Sequence, residues 1–206
     1  MGVSRDIIAA NVSRETLQRL DTYADLLTRW NPKINLVAKS TIPELWTRHL
    51  LDSIQVADLA PKSYEKWVDI GSGGGFPGLV VAILAAERQP QARFTLIESD
   101  QRKCAFLRSV ARECGLKVDI LAKRIESAPA QGADVLSARA LTQLDGLLGF
   151  AERHLAAGGT ALFQKGVRWR EEVRAAEAHW RFSCEAVPST TEPEAVILKI
   201  GGIERV

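Results

Sequence analysis

The chain has 206 residues, which is long enough for one good hydrophobic core and short for two separate domains. Hydrophobic residues make up 46% and charged residues 25%, as in ordinary globular proteins, and a formal net charge of +2 imposes no global field that would demand a nucleic-acid partner. No run approaches the roughly 18 apolar residues of a membrane span, the first ten residues lack the apolar core of a secretory signal, and three cysteines without metal-ligand spacing favour a reducing, cytoplasmic location.

Residues 1–62 predict a helical extension. Its first helix is marked by Ser13 as a candidate N-cap and by apolar residues at helical spacing, namely Leu17, Leu20, Ala24 and Leu27. Asn31-Pro32 predicts the end of that helix. The segment from Thr41 to Glu44 has the form of a capping box with an early proline, which predicts the start of a second helix.

Residues 63–206 alternate short apolar segments with helical ones. Strands are predicted over 66–70, 94–98, 118–121, 133–138 and 160–164, and helices over 77–88, 101–113, 142–156 and 169–180. Because this alternation is typical of a parallel sheet with helices on both faces, it predicts a doubly wound α/β domain. Two last strand candidates, 182–187 and 195–200, predict an antiparallel hairpin at the sheet edge.

The most informative segment is the glycine cluster that follows the first strand. Five glycines fall among the eight residues from 71 to 78, which a simple turn does not need but a loop lying against a ligand does. The spacing Asp69-x-Gly71-x-Gly73-x-Gly75 resembles the first motif of class I S-adenosylmethionine methyltransferases, and the acid suits a ligand with a cationic amino-acid end. The loop also matches G-x-G-x-x-G, so a dinucleotide oxidoreductase stays an alternative. Glu98, at the end of the second strand, could bind ribose hydroxyls in either case.

Basic residues concentrate between positions 101 and 124, where seven face only two acidic ones. A solvated helix face explains such a pattern, and a phosphate-binding surface is the sharper alternative. Four further basic residues could extend that surface, although nearby glutamates offset their charge. They are Lys165, Arg168, Arg170 and Arg174.

Several short segments outside the glycine loop carry a resemblance to one family. They are Arg29-Trp30-Asn31, Asn35-Leu36, Arg48 to Ile54, Leu107-Arg108, Ser137 to Ala140 and Lys165-Gly166. Together with Asp69 to Gly78 they make the chain similar, over nearly its whole length, to the RsmG (GidB) 16S rRNA guanine-N7 methyltransferases. The chain departs from the usual pattern at Val37, where threonine is common, and at Gly74, where proline is common. Neither change removes a needed group.

The resemblance implies contacts residue by residue. Ile125-Glu126 match a pair beside the adenine of the cofactor, and Arg139 matches an arginine at the mouth shared by cofactor and substrate. The expected cofactor contacts are Asp69, Gly71, Gly73, Gly75, Phe76, Glu98, Ile125, Glu126 and Arg139. The expected RNA contacts are Arg48, His49, Lys123, Arg124 and Lys165. A structural role for His49 is the more common one, and Arg48 and Asp52, four residues apart, could simply pair on a helix.

The implied reaction is S-adenosylmethionine-dependent methylation of N7 of one guanine in 16S rRNA, at position 527 in conventional rRNA numbering. The implied partner is 16S rRNA or the small ribosomal subunit, without a metal or a membrane, and we expect a monomer. Guanine N7 carries a free lone pair, so no general base is expected and Arg139 would position the reactants. A methyltransferase of another RNA, a small molecule or a protein stays an alternative, as does a non-catalytic binding module.

Overall fold

A computed structural model describes residues 3–206, so Met1 and Gly2 of the predicted extension lie outside the described part. The helices are α1 Val3–Ala9, α2 Arg14–Ile34, α3 Asp52–Asp58, α4 Gly78–Arg88, α5 Gln101–Glu113, α6 Leu144–His154 and α7 Trp169–Ala176. The strands are β1 Lys66–Ile70, β2 Arg93–Glu98, β3 Val118–Ala122, β4 Ala133–Arg139, β5 Leu155–Lys165, β6 Trp180–Pro188 and β7 Val196–Arg205. None of the described helices combines the length and the apolar character that crossing a membrane requires.

All seven strands form one sheet in the order β3-β2-β1-β4-β5-β7-β6. The first five strands run parallel, and β7 pairs antiparallel with both β5 and β6. The predicted α/β sheet with an antiparallel edge hairpin is therefore confirmed. The strand order changes direction between β1 and β4, and the carboxyl edge at such a switch point is where ligands bind in open α/β sheets.

The end of α2 differs from the prediction. The helix continues through Pro32 to Ile34 and ends at Asn35, a left-handed cap (φ 49°) whose N–H donates to the Asn31 carbonyl. The side-chain oxygen of Asn31 accepts from the N–H groups of Leu36 and Val37, at 2.8 and 2.9 Å. Pro32 lacks a backbone N–H and so removes only one hydrogen bond from the last turns of the helix. The left-handed cap at Asn35 therefore determines where the helix ends.

The predicted capping box at Thr41 is wrong. Residues Lys39–Glu44 form a 3-10 helix, and Trp46–Leu51 form a π-helical turn that runs directly into α3. The Thr41 hydroxyl donates to the Ala38 carbonyl instead of capping an α-helix. Wide π-helical turns are rare and occur mainly near functional sites, and this one carries Arg48 and His49. The predicted helix over 169–180 is also too long, since α7 ends at Ala176 and the buried Trp180 begins β6.

The extension packs on the glycine loop through one buried tyrosine. The Tyr23 ring on α2 lies 5.2 Å from the Phe76 ring and 6.3 Å from the Phe106 ring on α5. Its hydroxyl donates to the carbonyl of Gly74 at 2.5 Å. A helix of the extension thereby fixes the backbone of the loop that follows β1.

We expect Tyr23→Phe to lower the free energy of unfolding by about 1–2 kcal/mol, because the buried Gly74 carbonyl loses its donor. Chemical denaturation measures this. Tyr64→Phe is the matched control, since the half-buried Tyr64 contributes mainly ring packing on Trp67. Equal small effects of the two changes would contradict a role for the Tyr23 hydroxyl.

Candidate functional site

Two cavities open side by side at the carboxyl edge of the sheet. The loop cavity, about 550 Å³, lies between the glycine loop and the segments after β2, β3 and β4. The outer cavity, about 530 Å³, lies between the extension, the ends of β4 and β5, and the β6–β7 connection. Both volumes fall in the range of small-molecule sites. Leu36, Arg139 and Ala140 line both cavities, so the two meet at Arg139.

Most of the residues predicted to bind a cofactor line the loop cavity. They are Gly71, Gly73, Phe76, Glu98, Ile125, Glu126 and Arg139. Gly75 does not line it, because this glycine packs against the protein interior. A Cβ at Gly75 would lie 2.5 Å from a methyl carbon of Leu79 and 2.8 Å from the Tyr23 hydroxyl. Close packing, and a φ of +94°, explain the glycine there.

Asp69 also lies away from the cavity, in contrast to the direct ligand contact expected for it. Its carboxylate is fully buried under the loop and accepts from the Ser137 hydroxyl at 2.6 Å. That hydroxyl in turn accepts from the Trp67 indole N–H at 2.8 Å. Burial raises the pKa of Asp69 to about 6. A Cβ at Gly78 would come within 2.8 Å of the Asp69 carboxyl group, so Asp69 supports the loop and the start of α4 from beneath.

Glu98 connects the loop to the end of β2. One carboxylate oxygen accepts from the Gly73 N–H at 2.9 Å, and the other accepts from the Asp100 N–H at 2.8 Å. Each oxygen retains a further lone pair, and the side chain lines the loop cavity. Glu98 can therefore hold the loop and accept from hydroxyl groups of a ligand at the same time.

The wall at Ile125 depends on two residues that sequence reasoning missed. The Nε2 of the fully buried His154 lies 3.1 Å from the Ile125 carbonyl, so this nitrogen carries the proton and donates. The neighbouring Arg153 donates to the Ala128 carbonyl at 2.8 Å. Both residues end α6, and no local pattern relates them to a turn almost thirty residues earlier.

Arg139 is the central cation of the site. Its guanidinium lies 4.8 Å from the Phe76 ring centroid, and its Nη1 donates to the Arg48 carbonyl at 3.3 Å. The same nitrogen lies 3.8 Å from the Asp52 carboxylate. These contacts hold the side chain between the two cavities.

The predicted RNA contacts divide between the two cavities. Lys123 and Arg124 are exposed at the rim of the loop cavity, whereas Arg48, His49 and Lys165 line the outer cavity. Lys165 is only 9% exposed, and it pairs with Glu172 at 2.5 Å and donates to the Thr142 carbonyl. The charge of the largely buried Lys165 is therefore already compensated inside the fold.

The expected pairing of Arg48 with Asp52 is wrong. Arg48 pairs with Glu192 of the β6–β7 connection at 2.5 Å, and Asp52 faces Arg139. A π-helical turn makes i→i+5 bonds, so residues four apart around it no longer stand one above the other. The sequence did not identify Asp52 as a residue of the outer cavity, although it belongs to the segment from Arg48 to Ile54 that carries the family resemblance.

His49 is a neutral wall of the outer cavity. The Thr41 hydroxyl gives its proton to the Ala38 carbonyl, so it accepts from Nε2 of His49 at 2.7 Å. The imidazole stacks on Phe76 at 4.9 Å. Burial, followed by the charges of Arg139 and Arg48, lowers the pKa of His49 to about 3. The ring therefore neither carries a charge nor accepts a proton at neutral pH.

The lowered pKa of His49 predicts that the stability of the fold depends on pH. The folded protein keeps His49 neutral while the unfolded chain binds a proton below about pH 6.5, so acidification favours unfolding. Relative to His49→Gln, the free energy of unfolding should fall by about 2 kcal/mol between pH 7 and pH 5. Denaturant unfolding at a series of pH values measures it. A difference that stays constant from pH 7 to pH 5 would show that His49 does not carry this shift.

The donor sets of the two cavities limit their chemistry. Within residues 3–206, no three His, Cys, Asp or Glu side chains cluster closely enough to hold a metal ion. The loop cavity offers bare backbone, apolar walls, the carboxylates of Glu98 and Glu126 and several basic side chains. The outer cavity is lined by three cations and three carboxylates, which suits a polar ligand with both donors and acceptors. They are Arg48, Arg139 and Lys165, and Asp52, Glu172 and Glu192.

Comparisons with known proteins agree with this architecture. A family model described as rRNA small subunit methyltransferase G matches residues 16–197. A protein named ribosomal RNA small subunit methyltransferase G from Ruegeria sp. (strain TM1040) is 61% identical over 206 residues, which cover 100% of both chains. The protein of the same name from Ruegeria pomeroyi is 60% identical over 201 residues, or 98% of each chain.

Solved structures share the fold at low sequence identity. An S-adenosylmethionine-dependent methyltransferase from Aquifex aeolicus aligns with a TM-score of 0.59 at 13% identity, covering 77% of this chain and 92% of that one. The tRNA (m1A58) methyltransferase TrmI from Aquifex aeolicus aligns with a TM-score of 0.58, also at 13% identity, covering 76% and 69%. A family model that spans most of the chain, with relatives about 60% identical along its whole length, places this protein in the rRNA small subunit methyltransferase G family.

Proposed function

We propose that this methyltransferase of small-subunit rRNA holds S-adenosylmethionine in the loop cavity and methylates N7 of one 16S rRNA guanine in the outer cavity. The observation that carries the proposal is the meeting of the two cavities at Arg139, on the carboxyl edge of the sheet. A donor and an acceptor bound in adjoining cavities react as if within one molecule, and such positioning can supply most of the acceleration.

The residues of the loop cavity fit the cofactor. A Cβ at Gly73 would meet nothing closer than the Gly71 carbonyl at 3.8 Å, so bare backbone faces the space that a ligand would fill. Glu98 can accept from ribose hydroxyls, and the buried Ile125 offers an apolar wall to an adenine ring. When bound, S-adenosylmethionine supplies an electrophilic methyl group on a sulfonium.

The residues of the outer cavity fit an acceptor that needs no base. Guanine N7 has no proton to lose, and the neutral His49 adds no charge near the incoming methyl group. Arg139 lies where it can bind guanine O6 or a phosphate in a forked manner. Attack at a pyrimidine C5 would instead need a thiolate, yet none of Cys104, Cys114 and Cys184 lines either cavity, and burial raises the pKa of all three thiols.

The rim supports an RNA partner. Lys123 and Arg124 are exposed beside the loop cavity, and Lys103 lines the same opening. Exposed cations around a deep pocket hold phosphates, while the shape of a single-stranded loop supplies specificity.

The test is methylation of small subunits purified from a strain that lacks this modification. With S-adenosylmethionine and the purified protein, cleavage specific for N7-methylguanine followed by primer extension should give one new stop in 16S rRNA. Subunits already carrying the modification are the control and should accept no methyl group. A methyl group at another atom or nucleotide would overturn the proposal, and transfer to a metabolite without RNA would favour the small-molecule alternative.

A further inference from the structure

Asp52 is a charged group of the outer cavity that the proposed reaction leaves without a role. It begins α3, lines the cavity, and its side chain is only 15% exposed. One carboxylate oxygen accepts from the Thr191 hydroxyl at 3.0 Å and, more weakly, from the Ser189 hydroxyl at 3.4 Å. The other accepts from the Gln164 amide.

The cation that faces Asp52 stands too far from the carboxylate for a hydrogen bond. Arg139 lies 3.8 Å away, beyond hydrogen-bond length, and directs the same nitrogen to the Arg48 carbonyl. The guanidinium of Arg48 is taken by Glu192. Burial raises the pKa of Asp52, as expected for a carboxylate removed from water. A largely buried carboxylate is costly even when neutral groups donate to it, and a ligand that adds further donors would offset part of that cost.

We propose that Asp52 selects guanine by accepting hydrogen bonds from its N1–H and its N2 amino group. This inference rests on the proposed function of the outer cavity as the acceptor site. Guanine alone among the four RNA bases presents two adjacent donors on its Watson–Crick edge, which match the two oxygens of a carboxylate. Adenine and cytosine place a bare ring nitrogen there, and uracil places its single N–H between two carbonyls, so a carboxylate would repel each of them.

The neighbouring charge completes the pattern. Guanine carries the acceptor O6 directly beside N1–H, and Arg139 stands directly beside Asp52. Arg139 can therefore donate to O6 while Asp52 accepts from N1–H and from the N2 amino group, in the order in which these atoms follow one another along the base. Enzymes that act on an extruded base commonly read its Watson–Crick edge in this way.

This arrangement leaves the reacting atom free. N7 lies on the opposite side of the ring system from the N2 amino group, so a base held by Asp52 keeps its N7 lone pair unbound. Arg139 lines both cavities, which places the O6 side of the base towards the loop cavity. Asp52 is then a specificity residue that touches the substrate without taking part in proton transfer.

The experiment compares guanosine with inosine, whose base lacks only the N2 amino group of guanine. Small subunits are reconstituted with 16S rRNA that carries either base at the methylated position, and kcat/KM is measured for the wild type and for Asp52→Asn. We expect the wild type to prefer guanine by about tenfold or more, the value of one hydrogen bond to a charged group. Asp52→Asn should reduce that preference to less than about threefold.

Two controls separate base recognition from a structural role. Thr191→Val removes one hydroxyl from Asp52 but keeps the carboxylate, so its preference for guanine should persist. Affinity for S-adenosylmethionine should be unchanged in Asp52→Asn, since Asp52 does not line the loop cavity. Where turnover of a variant is too slow to measure, the same comparison is made on equilibrium binding of the two RNAs with S-adenosylhomocysteine present.

The outcomes are distinct. Equal use of guanine and inosine by the wild type, or a full preference retained in Asp52→Asn, overturns the role of Asp52 while methylation at N7 stands. No transfer to N7 of guanine by the wild type overturns the proposed function itself.

Discussion

Replacing Gly73 by aspartate should weaken binding of S-adenosylmethionine by about a hundredfold or more, equivalent to about 3 kcal/mol. The backbone at Gly73 has a φ of +52°, and a side chain there would project into the loop cavity. Its carboxylate would also stand beside Glu98, which accepts from the Gly73 N–H at 2.9 Å. The added side chain would thus occupy space that the ligand needs, and its negative charge would repel Glu98. Isothermal titration with S-adenosylmethionine and S-adenosylhomocysteine measures the loss.

Gly115→Asp is the matched control for that change. Gly115 has a φ of +63° and nothing within 4 Å of an added Cβ, so it imposes a comparable backbone strain of about 1 kcal/mol away from both cavities. The two variants should unfold at similar denaturant concentrations, and only Gly73→Asp should lose the ligand. If the wild-type protein binds neither S-adenosylmethionine nor S-adenosylhomocysteine, a titration with NAD tests whether the loop cavity binds a dinucleotide instead.

Removal of the Arg139 side chain should lower the rate of methyl transfer by at least about a hundredfold, while the affinity for S-adenosylmethionine falls much less. Arg139→Ala removes the cation that faces Asp52 at 3.8 Å and uncovers the Phe76 ring. The two reactants would then lack the side chain that borders both of them, and a displacement of about 1 Å can cost such a factor. Single-turnover methylation and ligand titration separate the two effects.

Two further variants make that result specific. Arg139→Lys keeps the positive charge but lacks the forked donors, so it should recover only a minor part of the rate. Arg88→Ala removes an exposed arginine that pairs with Asp58 far from the cavities, and it should leave both rate and affinity unchanged. A rate in Arg139→Ala within about threefold of the wild type would contradict a positioning role for Arg139.

Elements whose signals are local could be predicted from the sequence. The alternation of apolar and helical segments from Lys66 onwards predicted the parallel sheet and its closing hairpin, because strand and helix periods are properties of short stretches. The glycine spacing after β1 predicted a ligand-binding loop for the same reason. Boundaries were less certain, and α2 runs past Pro32 because the cap at Asn35 is formed through hydrogen bonds to Asn31.

The partners of charged residues could not be predicted in this way. Asp69 followed a motif that suggested ligand contact, yet its depth beneath the loop depends on packing against Ser137 and Gly78. His154 acts on Ile125, twenty-nine positions earlier in the chain. Such contacts join distant segments, and a helical or strand period carries no information about them.

The amino-acid sequence by itself determined the fold class, the family and the glycine loop, since each depends on residue types at short, regular spacings. Only the tertiary structure decided which groups face one another across the site. The π-helical turn separates Arg48 from Asp52, so that Arg48 pairs with Glu192 and Asp52 faces Arg139. These contacts form the charge pattern of the outer cavity. That pattern arises where the extension, the sheet and the β6–β7 connection meet, and segments so far apart in sequence are brought together only by the packing of the whole chain.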